Sequence, residues 1–310
     1  MNVLGIHHVT AVSAHIADNL RFYTGTLGMR LVKKSVNQDD VSANHLFYAD
    51  AVGSPGTDLT FFDWPAIQPN RPGVGTVALT TLKVPNDSLD LWEQRLIAAG
   101  IEPTRDTDGA GRQRIMFSDS EGQRLALVSE SDLVSRVVPW TKVVPREMAI
   151  KGILGVDLAS ARPDATKKVL TELLGYEDVD GSRFVINGEE YSSELIVREP
   201  NGRNFGQVGS GGVHHVAFGV KNDEELLGFQ TKIESAGIRT SGYIDRFYFH
   251  SLYFREPGGV LFELATEGPG FASDEDADQL GEKIALPPFL EPRRESIVQN
   301  LKPLPNPDYR

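Results

Sequence analysis

The sequence predicts an α+β protein of four βαβββ modules, paired into two curved mixed sheets that each enclose a cleft. Three observations predict it. Helix-ending glycines recur in TLGM (Gly28), AAGI (Gly100), LLGY (Gly175) and SAGI (Gly237). Each lies between an apolar opening strand and a closing hairpin. The opening strand GIHHVTAV also returns, two hundred residues later, as GVHHVAFGV.

The elements follow in order. The opening strands read GIHHVTAV, GTVALTTLKV, GILGVDLAS and GVHHVAFGV. Each is succeeded by an amphipathic helix, and a glycine just past a helix end supplies the left-handed cap. The closing hairpins are SPGTDLTFF (54–62), SEGQRLALV (120–128), NGEEYSSELIV (187–197) and EPGGVLFEL (256–264), each opened by turn-forming residues. One such unit cannot bury both faces of its sheet, so units must pair. The expected organisation is an N-terminal domain of two modules over 1–135, a C-terminal domain of two modules over 148–270, and an extended arm over 271–310, rich in Pro and charge. The stretch 198–212 reads as a flexible loop whose glycines fit no phosphate-binding pattern.

Composition narrows the function classes. Among 310 residues, 31 Lys and Arg against 43 Asp and Glu give a net charge of −12, which argues against a nucleic-acid binder. No apolar run is long enough to span a membrane, and MNVLGIHHVT does not read as a signal peptide, so a cytoplasmic location is expected. There is no cysteine, so a metal site must be built from histidine and carboxylate. No G-x-S-x-G motif supports a serine hydrolase.

The seven histidines are His7, His8, His15, His45, His214, His215 and His250, with none between 46 and 213. A histidine-dependent site must therefore join the first module to the fourth, leaving the second and third as an empty, structural pair. Side chains alternate along a strand. In GVHHVAFGV, Val216, Phe218 and Val220 suit the helix side, which leaves His215 among small residues on the cleft side. The same parity in GIHHVTAV selects His8. In the last hairpin Glu263 interrupts an apolar strand, where a carboxylate is costly unless paired or metal-bound. Phe61 is taken as the first-module counterpart of Glu263. Two histidines and one carboxylate with other positions open form the facial triad of non-haem Fe(II) oxygen chemistry. The third opening strand has no histidine; Asp157 is its one candidate ligand. His15, His45 and His250 are expected to have no ligand role, with His250 at most lining the cleft mouth.

The chain resembles the vicinal oxygen chelate superfamily, which includes glyoxalase I, extradiol dioxygenases and bleomycin-resistance proteins. Within it, the chain is most similar to ring-cleaving dioxygenases that act on hydroquinones. The likeness runs through GIHHVTAV, LGMRLVKKSVNQDD, HLFYAD, PGTDLTFF, VHHVAF, DRFYFHSLYFREPGGVLFELATEGPGF and DEDADQLGEKIALPPFLEP. It implies that His8, His215 and Glu263 bind Fe(II), with Mn(II) as an alternative. It also implies catalytic roles for His7, Thr10, His214, Arg246 and Tyr253. Strict alternation aims His7 and His214 away from the cleft and puts Arg246 and Tyr253 on opposite faces; a bulge or bend near 246–250 would relieve the second conflict. The implied reaction inserts both atoms of O2 into a hydroquinone-type ring to give a ring-opened semialdehyde acid. Expected partners are a small aromatic substrate and O2, no nucleic acid and no membrane, with a homodimer as the candidate assembly. The alternatives are a glyoxalase-type isomerase, which would normally use four ligands, and a non-catalytic drug-binding protein, which needs no triad.

Overall fold

The structure is a computed structural model describing residues 1–130, 136–188, 192–199, 202, 204–307 and 309. The expected domain edge at 135 lies outside the described residues. Each module is βαβββ. The first comprises β1 (Ile6–Ser13), α1 (Ile16–Arg21), β2 (Arg30–Val36), β3 (Asn44–Ala49) and β4 (Asp58–Asp63). The second comprises β5 (Thr76–Val84), α2 (Leu89–Ala98), β6 (Thr104–Thr107), β7 (Gln113–Ser118) and β8 (Arg124–Ser129). The third comprises β9 (Ile153–Ala159), α3 (Pro163–Lys168), β10 (Glu177–Asp178), β11 (Arg183–Asn187) and β12 (Ser192–Arg198). The fourth comprises β13 (Gly212–Val220), α4 (Asp223–Ser235), β14 (Ile244–Asp245), β15 (Phe249–Arg255) and β16 (Leu261–Pro269). The glycines that end the helices, Gly28, Gly100, Gly175 and Gly237, all have positive φ, which a side chain would resist.

The modules pair as the histidine gap requires. One sheet runs β14-β15-β16-β13-β1-β4-β3-β2, joining the fourth module to the first; the other runs β10-β11-β12-β9-β5-β8-β7-β6, joining the third to the second. Each sheet is parallel within a module, opening strand to last strand, and antiparallel where two modules meet at β1–β13 and β5–β9. Behind the clefts a continuous apolar core contains Ile6, Val9, Phe61, Trp92, Leu127, Val156, Phe184, Phe218 and Phe262.

The second sheet carries a set of ion pairs. The Arg112 guanidinium meets Glu194 at 2.5 Å and Asp108 at 2.7 Å, Arg183 meets Glu194 at 2.9 Å, and Arg198 pairs with Asp157. Asp157 is therefore neutralised within the second sheet and does not join the histidines. Gly155 stands where the third module would need a histidine, by analogy with His215. A Cβ there would lie 2.1 Å from the Glu194 backbone oxygen, so the position accepts no side chain without a backbone shift.

Segment 204–211, expected as a flexible loop, bridges to residues 69–74 through backbone pairs. The C-terminal arm lies along β2. Phe271, Leu280 and Ala285 pack with Val32 and Phe47, while Leu286, Leu290, Ile297 and Leu301 pack with Val36. Lys33, fully buried, holds the arm through ion pairs to Asp274 at 2.7 Å and to Glu275. No helix among the described residues is long and apolar enough to cross a membrane.

Candidate metal centre

The strands β1 and β13 run antiparallel at the centre of the first sheet. Their register slips twice. Ile6 pairs with Phe218 and His8 with Ala217, so His7 is an extra residue; Thr10 pairs with His215 and Ala11 with Val213, so His214 is an extra residue. These are two β-bulges related by the pseudo-twofold of the repeat, and a bulge re-aims a side chain. Each doubled histidine thus turns both rings to one side. This corrects the alternation argument, which sent His7 and His214 to the opposite face.

His8 Nε2, His215 Nε2 and Glu263 Oε2 converge: the pairs lie 3.4 Å (His8–His215), 3.3 Å (His8–Glu263) and 2.8 Å (His215–Glu263) apart. Three ligands about 2.1 Å from a common ion and mutually perpendicular would sit about 3.0 Å from one another. All three residues are buried, and among the described residues they form the one such cluster. Glu263 Oε1 accepts a hydrogen bond from Ser251 Oγ at 2.6 Å, whereas Oε2 has none among the described residues. A buried carboxylate oxygen left without a donor and facing two imidazole nitrogens fits a cation between them.

The remaining ring nitrogens meet the first histidine of each pair. His8 Nδ1 lies 2.9 Å from His7 Nδ1, and His215 Nδ1 lies 2.8 Å from His214 Nδ1. If Nε2 of each ligand faces a metal, its Nδ1–H donates to the neighbouring imidazole, which must accept. Burial, then the charge of the adjacent His8, pushes the pKa of His7 down to about 3; burial, then His215, does the same to His214. Both are therefore neutral and able to accept. Such a donor–acceptor pair fixes the tautomer and orientation of a metal-binding imidazole. Burial would raise the Glu263 carboxyl, but the flanking His8 and His215 hold it well below the usual carboxylate range.

The cavity beside the cluster is lined by His8, Thr10, His45, His215, Arg246 and Tyr253, among others. Tyr253 stands opposite Glu263 in the β15–β16 ladder. The Arg246 guanidinium lies 5.5 Å from the Tyr253 ring centre. The bend that brings them together is visible: Phe247 has φ +73°, and the β15–β16 register slips between Phe249 and Ser251. Burial, then the Glu263 charge, raises the Tyr253 phenol well above its usual range, so it stays protonated. Thr10 Oγ1 is 2.9 Å from Thr60 Oγ1. Phe62 and Phe249 approach the histidines at ring distances of 6.4 Å (Phe62 to His215) and 5.3 Å (Phe249 to His8), walling the cavity.

Two expectations need correction, and three residues join the site. Thr60, not Phe61, is the counterpart of Glu263: Glu263 pairs with Ala217, two residues after His215, and Thr60 pairs with Thr10, two residues after His8. Phe61 points into the core, against Tyr23. His250 does not line the cleft mouth; its Nδ1 pairs with Asp223 of α4 at 2.5 Å. His45, expected to have no ligand role, is not in the cluster, but it lines the cavity with its Nε2 2.8 Å from Thr60 Oγ1. Gln38 and Asp39 were also missed. Gln38 Nε2 donates to the Arg246 carbonyl at 2.8 Å, and Arg246 meets the Asp39 carboxylate at 2.9 Å and 3.2 Å, clasping the first module to the fourth. The parity of NHLFYAD pointed His45 to the cleft; nothing in NQDD announced the clasp.

Comparison with known proteins agrees with this architecture. The chain is 41% identical to "Putative ring-cleaving dioxygenase MhqA" of Bacillus subtilis, over 98% of this chain and 100% of that protein. It is 27% identical to the chlorohydroquinone/hydroquinone 1,2-dioxygenase of Sphingobium indicum, over 96% of each. A crystal structure titled as a putative dioxygenase from Bacillus subtilis superposes with a TM-score of 0.91 at 38% identity, covering 98% of both chains. The model of the Glyoxalase/Bleomycin resistance protein/Dioxygenase superfamily matches residues 5–127 and 151–264. The chain belongs to that superfamily.

Proposed function

We propose that this protein is a non-haem Fe(II) ring-cleaving dioxygenase acting on hydroquinone-type aromatics, with His8, His215 and Glu263 as the metal ligands and Mn(II) as an alternative occupant. The observation that carries the reading is the convergence of three buried lone-pair atoms on one point, in a cleft walled by Phe62 and Phe249. The names of full-length relatives at 41% and 27% identity support the reaction class. When bound, the metal would supply a centre that acidifies a phenolic hydroxyl and takes up O2 in its open positions.

The chain's own residues do the rest. His7 and His214 accept the Nδ1–H bonds that hold the ligand rings in place. Arg246 presents a positive charge toward an anionic phenolate. Tyr253, kept protonated, is placed to give its proton to an oxygen departing near the metal. Thr10, anchored by Thr60, packs the cleft floor beside His8. Phe62 and Phe249 offer apolar ring faces to an aromatic substrate. The product is a ring-opened semialdehyde acid carrying both atoms of O2.

A hydroquinone offers the metal one oxygen, where a catechol offers two. It therefore depends more on the pocket's donors, and this cleft is rich in them. Oxygen uptake by protein loaded with Fe(II) under argon tests the proposal. Hydroquinone or methylhydroquinone should give a higher kcat/KM than catechol. Faster turnover of catechol would overturn the substrate assignment. No uptake with either, together with isomerisation of a thiohemiacetal, would move the protein to the isomerase class.

A further inference from the structure

The pseudo-twofold relates two hydrogen-bonded pairs that face each other across the cleft. In the fourth module Tyr253 stands opposite Glu263 and Ser251 opposite Ala265; in the first, Phe47 stands opposite Thr60 and His45 opposite Phe62. Ser251–Glu263 and His45–Thr60 are therefore equivalent diagonal pairs, at 2.6 Å and 2.8 Å. Their roles are reversed. In the fourth module a short hydroxyl supports an acid that faces the metal. In the first, the short hydroxyl is Thr60, at the vacated ligand position, and what it supports is the His45 imidazole.

His45 is held but not used. Its ring packs against Phe47 and Phe62, at 3.9 Å and 4.4 Å between centres. Its Nε2 is engaged by Thr60, while Nδ1 makes no hydrogen bond among the described residues, and the ring lines the same cavity as His8 and His215. Burial, then the nearby His8 and His215, keeps it neutral, with one nitrogen a donor and the other an acceptor. The Thr60 hydroxyl can donate or accept, so Nδ1 can do either toward a ligand.

We propose that His45 is the specificity-determining residue of the cleft: its Nδ1 hydrogen-bonds the second hydroxyl of the aromatic substrate, the one that does not reach the metal. This rests on the ring-cleavage reading above. It explains how a pocket with one metal-bound oxygen would prefer a dihydroxylated ring to a simple phenol. An imidazole nitrogen facing the cavity gains a hydrogen bond from a ligand that carries the second hydroxyl and none from one that lacks it.

The test is isothermal titration calorimetry of Fe(II)-loaded protein under argon, with hydroquinone and with phenol. The native protein should bind hydroquinone about tenfold more tightly, the worth of one such hydrogen bond. His45→Phe should bring the two ligands within about twofold by weakening hydroquinone alone, and His45→Gln, which keeps an amide donor and acceptor, should restore part of the preference. Metal content and melting temperature of the same samples report whether the cleft is intact; if His45→Phe does not load metal, the ratio measured on His45→Gln and His45→Leu decides. An unchanged preference in the apolar variant would overturn the assignment, as would an equal loss for both ligands. Absence of oxygen uptake by the native protein with any phenol or hydroquinone would refute ring cleavage, yet the binding ratio would still report on His45.

Discussion

Substituting Glu263→Gln keeps the size of the side chain and its contact with Ser251 but removes the one charge among the three converging ligand atoms. The consequence can be put in degrees. A metal present at one hundred times its dissociation constant stabilises the folded protein by about 2.7 kcal/mol. Unfolding entropy of about 2.1 cal/mol/K per residue, taken over this chain, gives about 0.65 kcal/mol/K, so native protein should melt about 4 °C higher when loaded. Loss of the carboxylate should weaken binding at least about 100-fold, given that disturbing even the partners of metal ligands costs 10–100-fold. At the same metal concentration the variant should then shift by less than about 1 °C. Differential scanning fluorimetry with Mn(II) or anaerobic Fe(II), paired with metal content by elemental analysis, measures both. A variant that binds one equivalent and shifts as the native protein does would refute the placement of Glu263 at the metal.

Other perturbations read other parts of the structure. Tyr253→Phe should retain the metal and lower kcat about 100-fold or more, the usual loss when a general acid is removed; an unchanged kcat in oxygen uptake would exclude it as the proton donor. Asp58 is buried, neither carboxylate oxygen has a hydrogen-bond partner among the described residues, and burial, then Asp50, raises its pKa well above the usual range. The folded state therefore holds a proton that the unfolded chain releases, so its contribution is full below about pH 4 and is lost as pH rises through the raised folded value. Asp58→Asn should accordingly raise the melting temperature by about 2–4 °C at pH 8 and little at pH 4; a gain independent of pH would contradict the assignment. Lys33→Ala removes the buried ammonium that pins Asp274 and Glu275. It should release the arm, seen as new tryptic cleavage after Lys283 at unchanged metal content; an arm as protected as in native protein would show that apolar packing alone holds it.

Much of this was legible because it is periodic. Four glycine-capped repeats imply four modules, and a gap in histidine use implies which modules meet. Parity placed His8 and His215 on the cleft face, and an acid in an apolar strand singled out Glu263. The failures have a common cause, which is register. Alternation misdirected His7 and His214 because each is a bulge residue, and a bulge leaves no mark in a list of residue types. The match of Glu263 to Phe61 missed by one position for a related reason: which residue stands opposite which depends on the ladder, and a one-residue slip moves a side chain to the other face. Nothing in the sequence pairs His45 with Thr60, because their contact crosses the β3–β4 ladder. The clasp of Asp39 to Arg246 joins residues about two hundred positions apart, and no local pattern carries it.

Turnover in ¹⁸O₂ tests the central claim most directly. Protein loaded with Fe(II) under argon is given hydroquinone and labelled oxygen, and the ring-opened product is examined by mass spectrometry. The product should be a semialdehyde acid in which both atoms of one O2 are retained, apart from label washed out of the aldehyde by exchange with water, and His215→Ala should give no such product. A product whose new oxygens come only from solvent, or an intact ring after prolonged incubation with metal-loaded protein, would contradict it.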